Sequence, residues 1–209
     1  MSDKELNSLI SQLNNPQDQV ILQLIFEGVN GYQSTEILNL TRKDVNFDTG
    51  ELSLRDDKHG ERTHKVSDKA LRLIDAALNQ EVYHVRNGEA EGRSNSFPLV
   101  QNDFVVRNIA RSSKGENDRA DRHLLYRRLT VISDLFDLPY ITVRNIEKSG
   151  MIKLANDILK RDGKLEREQV WEVADLFGVR RNAVGSHNTK ILSNFINMEN
   201  ISELYGIEK

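Results

Sequence analysis

Basic side chains in the second half of the chain are the residues best suited to chemistry, and the chemistry that they suit is phosphate binding. Residues 107–128 hold seven basic residues against three acidic ones, although the formal net charge of the chain is −3. Residues 180–190 add three basic residues and no acid. Such clusters are typical of nucleic-acid backbone contacts, and an ordinary solvated face is the alternative. We expect phosphates to be held by Arg107, Arg111, Arg127 and Arg128.

A second pattern lies in residues 170–189, which read VWEVADLFGVRRNAVGSHNT. Ala174, Gly178 and Val184 occupy the small, turn and apolar positions of a helix-turn-helix. The pattern predicts a recognition helix that reads bases, since Asn suits adenine and Arg suits guanine. A pair of helices packed only for structure would show the same spacing. The side chains expected at DNA are Arg180, Arg181, Asn182, His187 and Lys190.

Other chemistries lack the residues that they need. The chain has no cysteine, which excludes disulfides, thiolate catalysis and cysteine-ligated zinc. Its five histidines show neither His-x-x-His nor His-Glu-x-x-His spacing. A phosphate-cradling P-loop and a Gly-x-Gly-x-x-Gly motif are also missing from the sequence. The sequence therefore predicts neither a metal nor a cofactor.

The composition is that of a globular domain with an ordinary core. The chain has 209 residues, of which 38% are hydrophobic and 29% charged. No apolar run approaches the roughly 18–20 residues that span a bilayer, and the N-terminus does not resemble a signal peptide. We expect a cytoplasmic protein with no membrane partner.

Helical periodicity dominates the elements that must position these residues. Two short runs, residues 51–54 and 62–66, flank a polar loop and predict a β-hairpin. Helices are expected from the first residues to Leu13, from about Gln17, after Gln33, after Ser67, over 121–136, from Thr142, over 166–177 and over 181–195. Short strands are expected at 97–100 and 104–106, a polar loop at 86–96 and a mobile basic loop at 111–120.

The order of elements in residues 24–66 resembles the start of a tyrosine recombinase catalytic domain. That family opens with Gly-x-Arg-x-x-Glu-hydrophobic-x-x-Leu, and residues 31–40, GYQSTEILNL, fit it at every position but one. The first catalytic arginine of the family falls on Gln33. The resemblance covers about residues 4–195 and implies an α+β, mostly helical fold with a small antiparallel sheet and a helix-turn-helix-like pair at its C-terminal end.

The resemblance implies a catalytic set that is mostly lost. The catalytic lysine of the hairpin loop is retained as Lys58, and the arginine of the His-x-x-Arg box is retained as Arg144. The histidine of that box falls on Ile141, and the later histidine falls on Val179. No tyrosine lies near residues 187–190, where the family places its nucleophile. We expect Lys58 and Arg144 to hold a DNA phosphate without cutting; the alternative is that Arg144 pairs with a nearby acid, Glu147 or Glu36.

The resemblance therefore indicates a catalytically inactive, sequence-specific DNA-binding repressor of a temperate phage, acting at the nucleoid of a bacterial host. The alternatives are an active recombinase with an atypical or trans-supplied tyrosine, and an accessory structural protein with no DNA role. We expect a DNA-binding domain at 1–197 and an association element at 198–209. The expected partners are double-stranded DNA, a second copy through that tail, and a small protein or peptide effector.

Overall fold

Helices dominate the computed structural model, which describes residues 1–89, 95–110 and 119–206. The predicted α+β, mostly helical class is confirmed, with two small antiparallel sheets beside the helices. The helices are α1 (Asp3–Ser11), α2 (Pro16–Phe26), α3 (Thr35–Asn39), α4 (Asp68–Asn79), α5 (Arg122–Leu135), α6 (Val143–Asp162), α7 (Arg167–Leu176), α8 (Thr189–Ser193) and α9 (Met198–Tyr205). The strands are β1 (Val45–Asn46), β2 (Glu51–Asp56), β3 (Gly60–Lys65), β4 (Val82–His84) and β5 (Ser96–Pro98).

Helix α2 lies at the centre of the first of two hydrophobic cores. Its side chains are apolar on nearly all sides, and Val20, Ile21 and Leu24 are fully buried. A helix that is apolar all round must be covered on all sides, and α1, α4, α5 and α6 pack against it. Pro16 at its first position suits a helix start, because that backbone nitrogen needs no helical partner.

The predicted hairpin is present as β2 and β3, with β1 on the far edge of β2. Leu52 pairs with His64 and Leu54 with Arg62 across the ladder. The alternation of buried and exposed residues along β2 sets the face that packs on the first core, because neighbouring residues in a strand point to opposite sides. The hairpin therefore holds its loop, with Lys58, at the edge of the domain.

Helix α6 belongs to both hydrophobic cores. Its first turns pack into the first core through Ile146, whereas Ala155 and Ile158 belong to a second core with α7, α8 and α9. The two helices α2 and α6 cross at Gly150, where any Cβ would overlap the Phe26 carbonyl. Although α6 has 20 residues, no helix in the described ranges is both long and apolar enough to cross a membrane.

The start signals predicted for three helices are confirmed. The side chains of Ser67, Asp121 and Thr142 each accept a hydrogen bond from the backbone three residues further on, at the N-termini of α4, α5 and α6. The N-terminal caps therefore fix the starts of these helices, as their side-chain chemistry predicts.

The predicted recognition helix at 181–195 is wrong. Residues 177–188 form no helix, and the helix that follows, α8, has only five residues. Asn182 explains the difference, because its Oδ1 accepts hydrogen bonds from the backbone of Val184 (3.1 Å) and Ser186 (3.0 Å). An Asn side chain that captures these N–H groups competes with helix formation. Gly185 follows in the left-handed region, with φ of 77°.

The short apolar runs after residue 95 form less sheet than predicted. Strand β5 ends at Pro98, and Leu99 continues only as an isolated bridge to Ile109. The run 104–106 is not a strand either, since Phe104 makes a single bridge to Thr41 while Val105 and Val106 enter the first core. The expected basic loop lies mostly outside the described residues, as does Arg111.

The C-terminal tail docks on its own chain in this structure. Helix α9 packs against α6, and Ile201 is fully buried in the second core. Ile201 is thereby covered without a second subunit, whereas Met198 of the same helix is 39% exposed. Association through residues 198–209 and the division of the chain at residue 197 stay predictions.

Candidate nucleic-acid interface

A cavity of about 380 Å³ opens where the hairpin loop, the turn after α2, the first half of α6 and the end of α7 meet. Four positions taken from the resemblance, Gln33, Lys58, Arg144 and Val179, lie in its wall or within one helical turn of a wall residue. Gln33 and Lys58 are next in sequence to the wall residues Tyr32 and His59, and Arg144 lies three residues before the wall residue Glu147. Val179 lines the cavity itself, as does Arg180. The structure thus brings residues that are far apart in the sequence to one place.

Gln33 sits in an unusual backbone conformation at the edge of this cavity. Its φ of 56° and the φ of 63° at Ser34 place two successive non-glycine residues in the left-handed region. Such residues cost about 1–3 kcal/mol each and persist only where neighbours fix them. Asp56 does so here by accepting a hydrogen bond from the Tyr32 backbone, and Gln33 Nε2 donates to the Tyr32 hydroxyl (3.1 Å).

Lys58 is exposed in the hairpin loop and has no acidic partner among the described residues. Its ammonium lies 4.5 Å from the centre of the Tyr32 ring. Asp56 shapes the loop by accepting from the backbone of Lys58 (2.7 Å) and His59 (2.8 Å). Burial acts to raise the pKa of Asp56, but these backbone donors outweigh it and leave the pKa lowered. The loop therefore stays ordered and presents the lysine charge to solvent.

The floor of the cavity is an ion pair that faces inward. Arg62 donates to both carboxylate oxygens of Glu36 (2.6 and 2.8 Å), to the Gly28 carbonyl (2.6 Å) and to the Leu176 carbonyl (3.1 Å). These hydrogen bonds lie within the chain and join the end of α2, the start of α3 and the end of α7. This guanidinium joins the two cores through hydrogen bonds from Nε, Nη1 and Nη2 to groups of the chain.

A second acid, half-buried, lies beside that pair. Glu147 on α6 accepts a hydrogen bond from Asn30 Nδ2 (3.0 Å). Burial raises the pKa of Glu147, and the neighbouring Glu36 adds to the increase. The depth of the cavity therefore holds these acids and the paired Arg62, and the cations without a partner in the described residues lie at the mouth.

Arg144 is one of these groups. It is exposed in the first turn of α6 and makes no hydrogen bond or ion pair with any residue that the structure describes. The acids named as its alternative partners are occupied, since Glu36 pairs with Arg62 and Glu147 accepts from Asn30. The alternative of an internal ion pair between Arg144 and Glu147 or Glu36 is therefore wrong. Arg180, which lines the cavity, is likewise exposed and free of partners in the described chain.

Two positions of this chain match histidines of the family, and the side chains found there can neither take up nor release a proton. Ile141 is 3% exposed and packs in the first core. Val179 is half-buried at the cavity wall, and its backbone donates to the Ala174 carbonyl (2.9 Å). Neither side chain can donate a proton to a leaving oxygen.

Two of the predicted phosphate-binding arginines are internal, and that prediction is wrong for them. Arg107 is 2% exposed and donates to backbone carbonyls, including that of Ala77 (3.0 Å). Arg128 is 5% exposed, lies 3.6 Å from the Asp18 carboxylate and donates to Gln17 Oε1 (2.9 Å). These arginines join α2, α4 and α5 instead of facing solvent.

A sequence signal could have identified one of these internal arginines. Arg128 lies four residues after Leu124 and four before Ile132, on the apolar face of α5. Arg127, one position earlier, is exposed and stays a candidate phosphate contact.

The loop before α8 uses most of its polar groups internally. Arg181 pairs with Asp175 (2.5 Å) and donates to the Gly185 carbonyl (3.2 Å). His187 is 4% exposed, and its Nε2 lies 2.7 Å from the Asp175 carboxylate. With Asn182 holding the turn, the predicted base-reading surface is reduced to Arg180 and Lys190, which are both exposed.

Sequence reasoning missed two residues of this site, Tyr32 and His59. Tyr32 is 43% exposed, and the rings of Tyr32 and His59 meet edge to face with centroids 6.0 Å apart. Their signal was present, because each is the immediate neighbour of a residue singled out by the resemblance, Gln33 and Lys58.

The fold and the site define a tyrosine-recombinase-like catalytic domain. Two solved recombinases share the fold: XerA, with a TM-score of 0.62 at 15% identity, and XerH, with a TM-score of 0.58 at 13% identity. Each match covers 99% of this chain, but only 63% of the XerA chain and 52% of the XerH chain.

More particularly, this chain belongs to the family described as MrpR, C-terminal catalytic domain, whose family model matches residues 1–206. It is also 33% identical over 209 residues to the SPbeta prophage-derived uncharacterized protein YopR of Bacillus subtilis (strain 168). That match covers 98% of this chain and 63% of the relative, so this chain spans less than two thirds of the relative's length.

Proposed function

We propose that this chain is a sequence-specific DNA-binding regulator, of the repressor type of a prophage, that uses a recombinase fold without cutting DNA. The observation that carries this proposal is that three cations without a partner in the described residues, Lys58, Arg144 and Arg180, lie about one cavity whose floor is an internal ion pair. Free cations at one concave site suit backbone phosphates, and phosphate contacts fix a protein's position on DNA.

The positions matched to the catalytic set of the family do not support strand cleavage. Cleavage needs a nucleophile, a proton donor for the leaving oxygen and cations for the developing charge. Ile141 and Val179 cannot donate protons. Tyr205 lies away from the cavity in α9, and burial raises its pKa to about 12, which opposes formation of a phenolate.

Two comparisons support the DNA and prophage parts of the proposal. XerH was solved bound to a palindromic difH substrate, in a post-cleavage complex. The 33% identical relative is prophage-derived. A chain with this fold and without the reactive groups suits the task of occupying a site on DNA rather than rearranging it.

Genome-wide mapping of bound DNA, followed by gel-shift titration of the recovered fragments, tests the proposal. We expect saturable binding that favours a common sequence over scrambled duplexes. The matched variant Lys58→Ala/Arg144→Ala/Arg180→Ala should lose binding while keeping the wild-type circular dichroism spectrum. A protein that binds no recovered fragment above scrambled DNA would overturn the proposal.

One observation favours a second candidate, an active recombinase with an atypical tyrosine. Tyr32 is exposed in the same cavity as Arg180, with its ring beside Lys58. A suicide DNA substrate decides between the two: a covalent adduct that disappears in Tyr32→Phe would establish cleavage, and Tyr205→Phe is the control. We expect no adduct with any of the three proteins.

A further inference from the structure

The 182–186 turn lies between α7 and α8, and hydrogen bonds fix its shape. The Asn182 backbone donates to the Ser186 carbonyl (2.8 Å), and the Gly185 backbone donates to the Asn182 carbonyl (2.9 Å). The side chain of Asn182 closes the same turn by accepting from the backbone of Val184 and Ser186. The turn is therefore held in one conformation before any partner is bound.

Both ends of the 182–186 turn are anchored on α7. Arg181, just before the turn, pairs with Asp175, and the ring of His187, just after it, lies 2.7 Å from the same carboxylate. Trp171 Nε1 then donates to Thr189 Oγ1 (2.9 Å). The hydrogen-bonding side chains of the segment are thus engaged with α7, and the tip of the turn is left in solvent.

The side chain at the tip of the turn is apolar. Val184 is 83% exposed, the largest fraction among the large hydrophobic residues that the structure describes, and Ile191 in the following helix is 59% exposed. A single exposed apolar side chain is common on protein surfaces and by itself indicates no partner. Here, however, polar side chains face the protein while a branched apolar side chain is held outward on a rigid turn. That arrangement suits contact with an apolar group of a partner.

The charges on either side of Val184 in the sequence favour DNA as that partner. Residues 180–190 contain three basic residues and no acid, and one of the three, Arg181, is paired with Asp175. The other two, Arg180 and Lys190, are exposed and make no ion pair within the part of the chain that the structure describes. Arg180 also lines the candidate nucleic-acid interface, so the turn begins two residues beyond its wall. Cations on both sides of the tip match a polyanion.

We propose that the 182–186 turn enters the major groove of DNA and that Val184 recognises thymine through its 5-methyl group. This methyl group distinguishes thymine in the major groove, and apolar side chains contact it there. Arg180 and Lys190 bind the flanking phosphates and fix the position of the turn. Asn182 holds the turn, and because its side-chain oxygen already accepts two hydrogen bonds, the base contact falls to Val184. The inference rests on the proposed function and adds the base contact that the free cations do not supply.

Fluorescence anisotropy with residues 1–209 and the duplex recovered by genome-wide mapping tests this contact. Each thymine is replaced in turn by deoxyuridine, which pairs in the same way and lacks the 5-methyl group. We expect one or two of these replacements to weaken wild-type binding about fourfold, the loss for one methyl group that is no longer buried. Val184→Ser should bind the unmodified duplex about fourfold more weakly than wild type. It should also no longer distinguish thymine from deoxyuridine at those positions.

Val82→Ser is the matched control, because Val82 is an exposed valine on β4, outside this segment. It should keep the wild-type preference at the same thymines. A thymine preference that persists unchanged in Val184→Ser overturns the proposal. Wild-type affinity of Val184→Ser for the unmodified duplex also overturns it and leaves the apolar tip to a protein partner.

The same titrations separate this inference from the proposed function. A chain that binds no recovered duplex above scrambled DNA contradicts the proposed function and this inference together. Cognate binding in which no thymine can be distinguished from deoxyuridine contradicts this inference alone.

Discussion

The mouth of the candidate interface and the interior of the first core use the same residue types in opposite ways. At the mouth, Lys58 and Arg144 lie in solvent without a counter-charge in the described structure. In the interior, Arg107 and Arg128 donate to carbonyl and amide oxygens of the chain, and Arg128 lies beside the Asp18 carboxylate, although Arg107 Nε has no partner among the described residues. A buried charge must be paired to be tolerated, whereas an exposed one needs no partner. Basic charge is therefore available to the proposed DNA partner only where it is left unpaired.

Arg128→Met gives the largest expected effect on stability, because it removes one of the two interior arginines. The substitution leaves Asp18 buried and without its cation, and we expect a loss of about 3–5 kcal/mol in the free energy of unfolding. Urea titration followed by circular dichroism measures it. The adjacent Arg127→Met, at an exposed position, should change stability by less than about 0.5 kcal/mol. Equal stability of the two variants would remove the distinction between the regions.

Arg62→Met tests the ion pair that lies between the mouth of the candidate interface and the interior of the first core. Its guanidinium gives charge-assisted hydrogen bonds to Glu36, and such bonds contribute about 1.5–3 kcal/mol. We expect a loss of that order, and a double-mutant cycle with Glu36→Gln should show coupling of about 0.5–3 kcal/mol. The control is Arg55→Met, whose contact with Asp44 is long (3.4 Å) and exposed. Independent effects of Arg62→Met and Glu36→Gln would contradict the role of this pair.

At the mouth, Lys58→Ala and Arg144→Ala should leave stability unchanged and weaken DNA binding. Each should weaken binding to cognate and scrambled duplexes alike. Each should also reduce the slope of the logarithm of the binding constant against the logarithm of the salt concentration by about one, as a lost phosphate contact does. Fluorescence anisotropy over a salt titration measures both quantities, with Lys160→Ala as the control. A loss confined to the cognate duplex would instead assign base reading to these residues.

Glu147→Gln gives the smallest expected effect, and it depends on pH. Because burial raises the pKa of Glu147 above its ordinary value, the folded state holds this proton more tightly than the unfolded state does. Stability is then greatest below the ordinary value and falls as pH rises through the raised pKa. The variant should be slightly more stable than wild type at pH 8 and equal to it near pH 4. The exposed Glu203→Gln should show no such difference, and a parallel pH profile for Glu147→Gln would contradict the assignment.

The sequence predicted the first core better than the second for a physical reason. In the first core, long apolar faces and capping residues such as Ser67 and Thr142 predict the same helices. The hydrophobic periodicity therefore agrees with the structure there. Between α7 and α8 the backbone conformation is set by side-chain hydrogen bonds of Asn182 and by an ion pair at Asp175. The spacing of hydrophobic residues does not predict such interactions. The family motif, at residues 31–40, lies at the cavity for which we propose the DNA contact.

What the sequence could not supply was the state of each polar group at the candidate site. Whether Arg144 is free depends on Arg62, which lies 82 positions earlier and occupies Glu36. The inward burial of Arg107 depends on carbonyls at the end of α4. Pairings over such separations follow from tertiary packing, which local spacing does not encode.

The sharing of α6 between both cores has a consequence for hydrogen exchange. A segment that opens alone must lose few buried contacts, and the middle of α6 has no such freedom, since Gly150 lies against α2 and Ala155 lies in the second core. The amides of this stretch should therefore exchange only when the whole domain opens. Those at the end of the helix, after Lys160, should exchange by local fraying. The molecule would then behave as one cooperative unit despite its two cores.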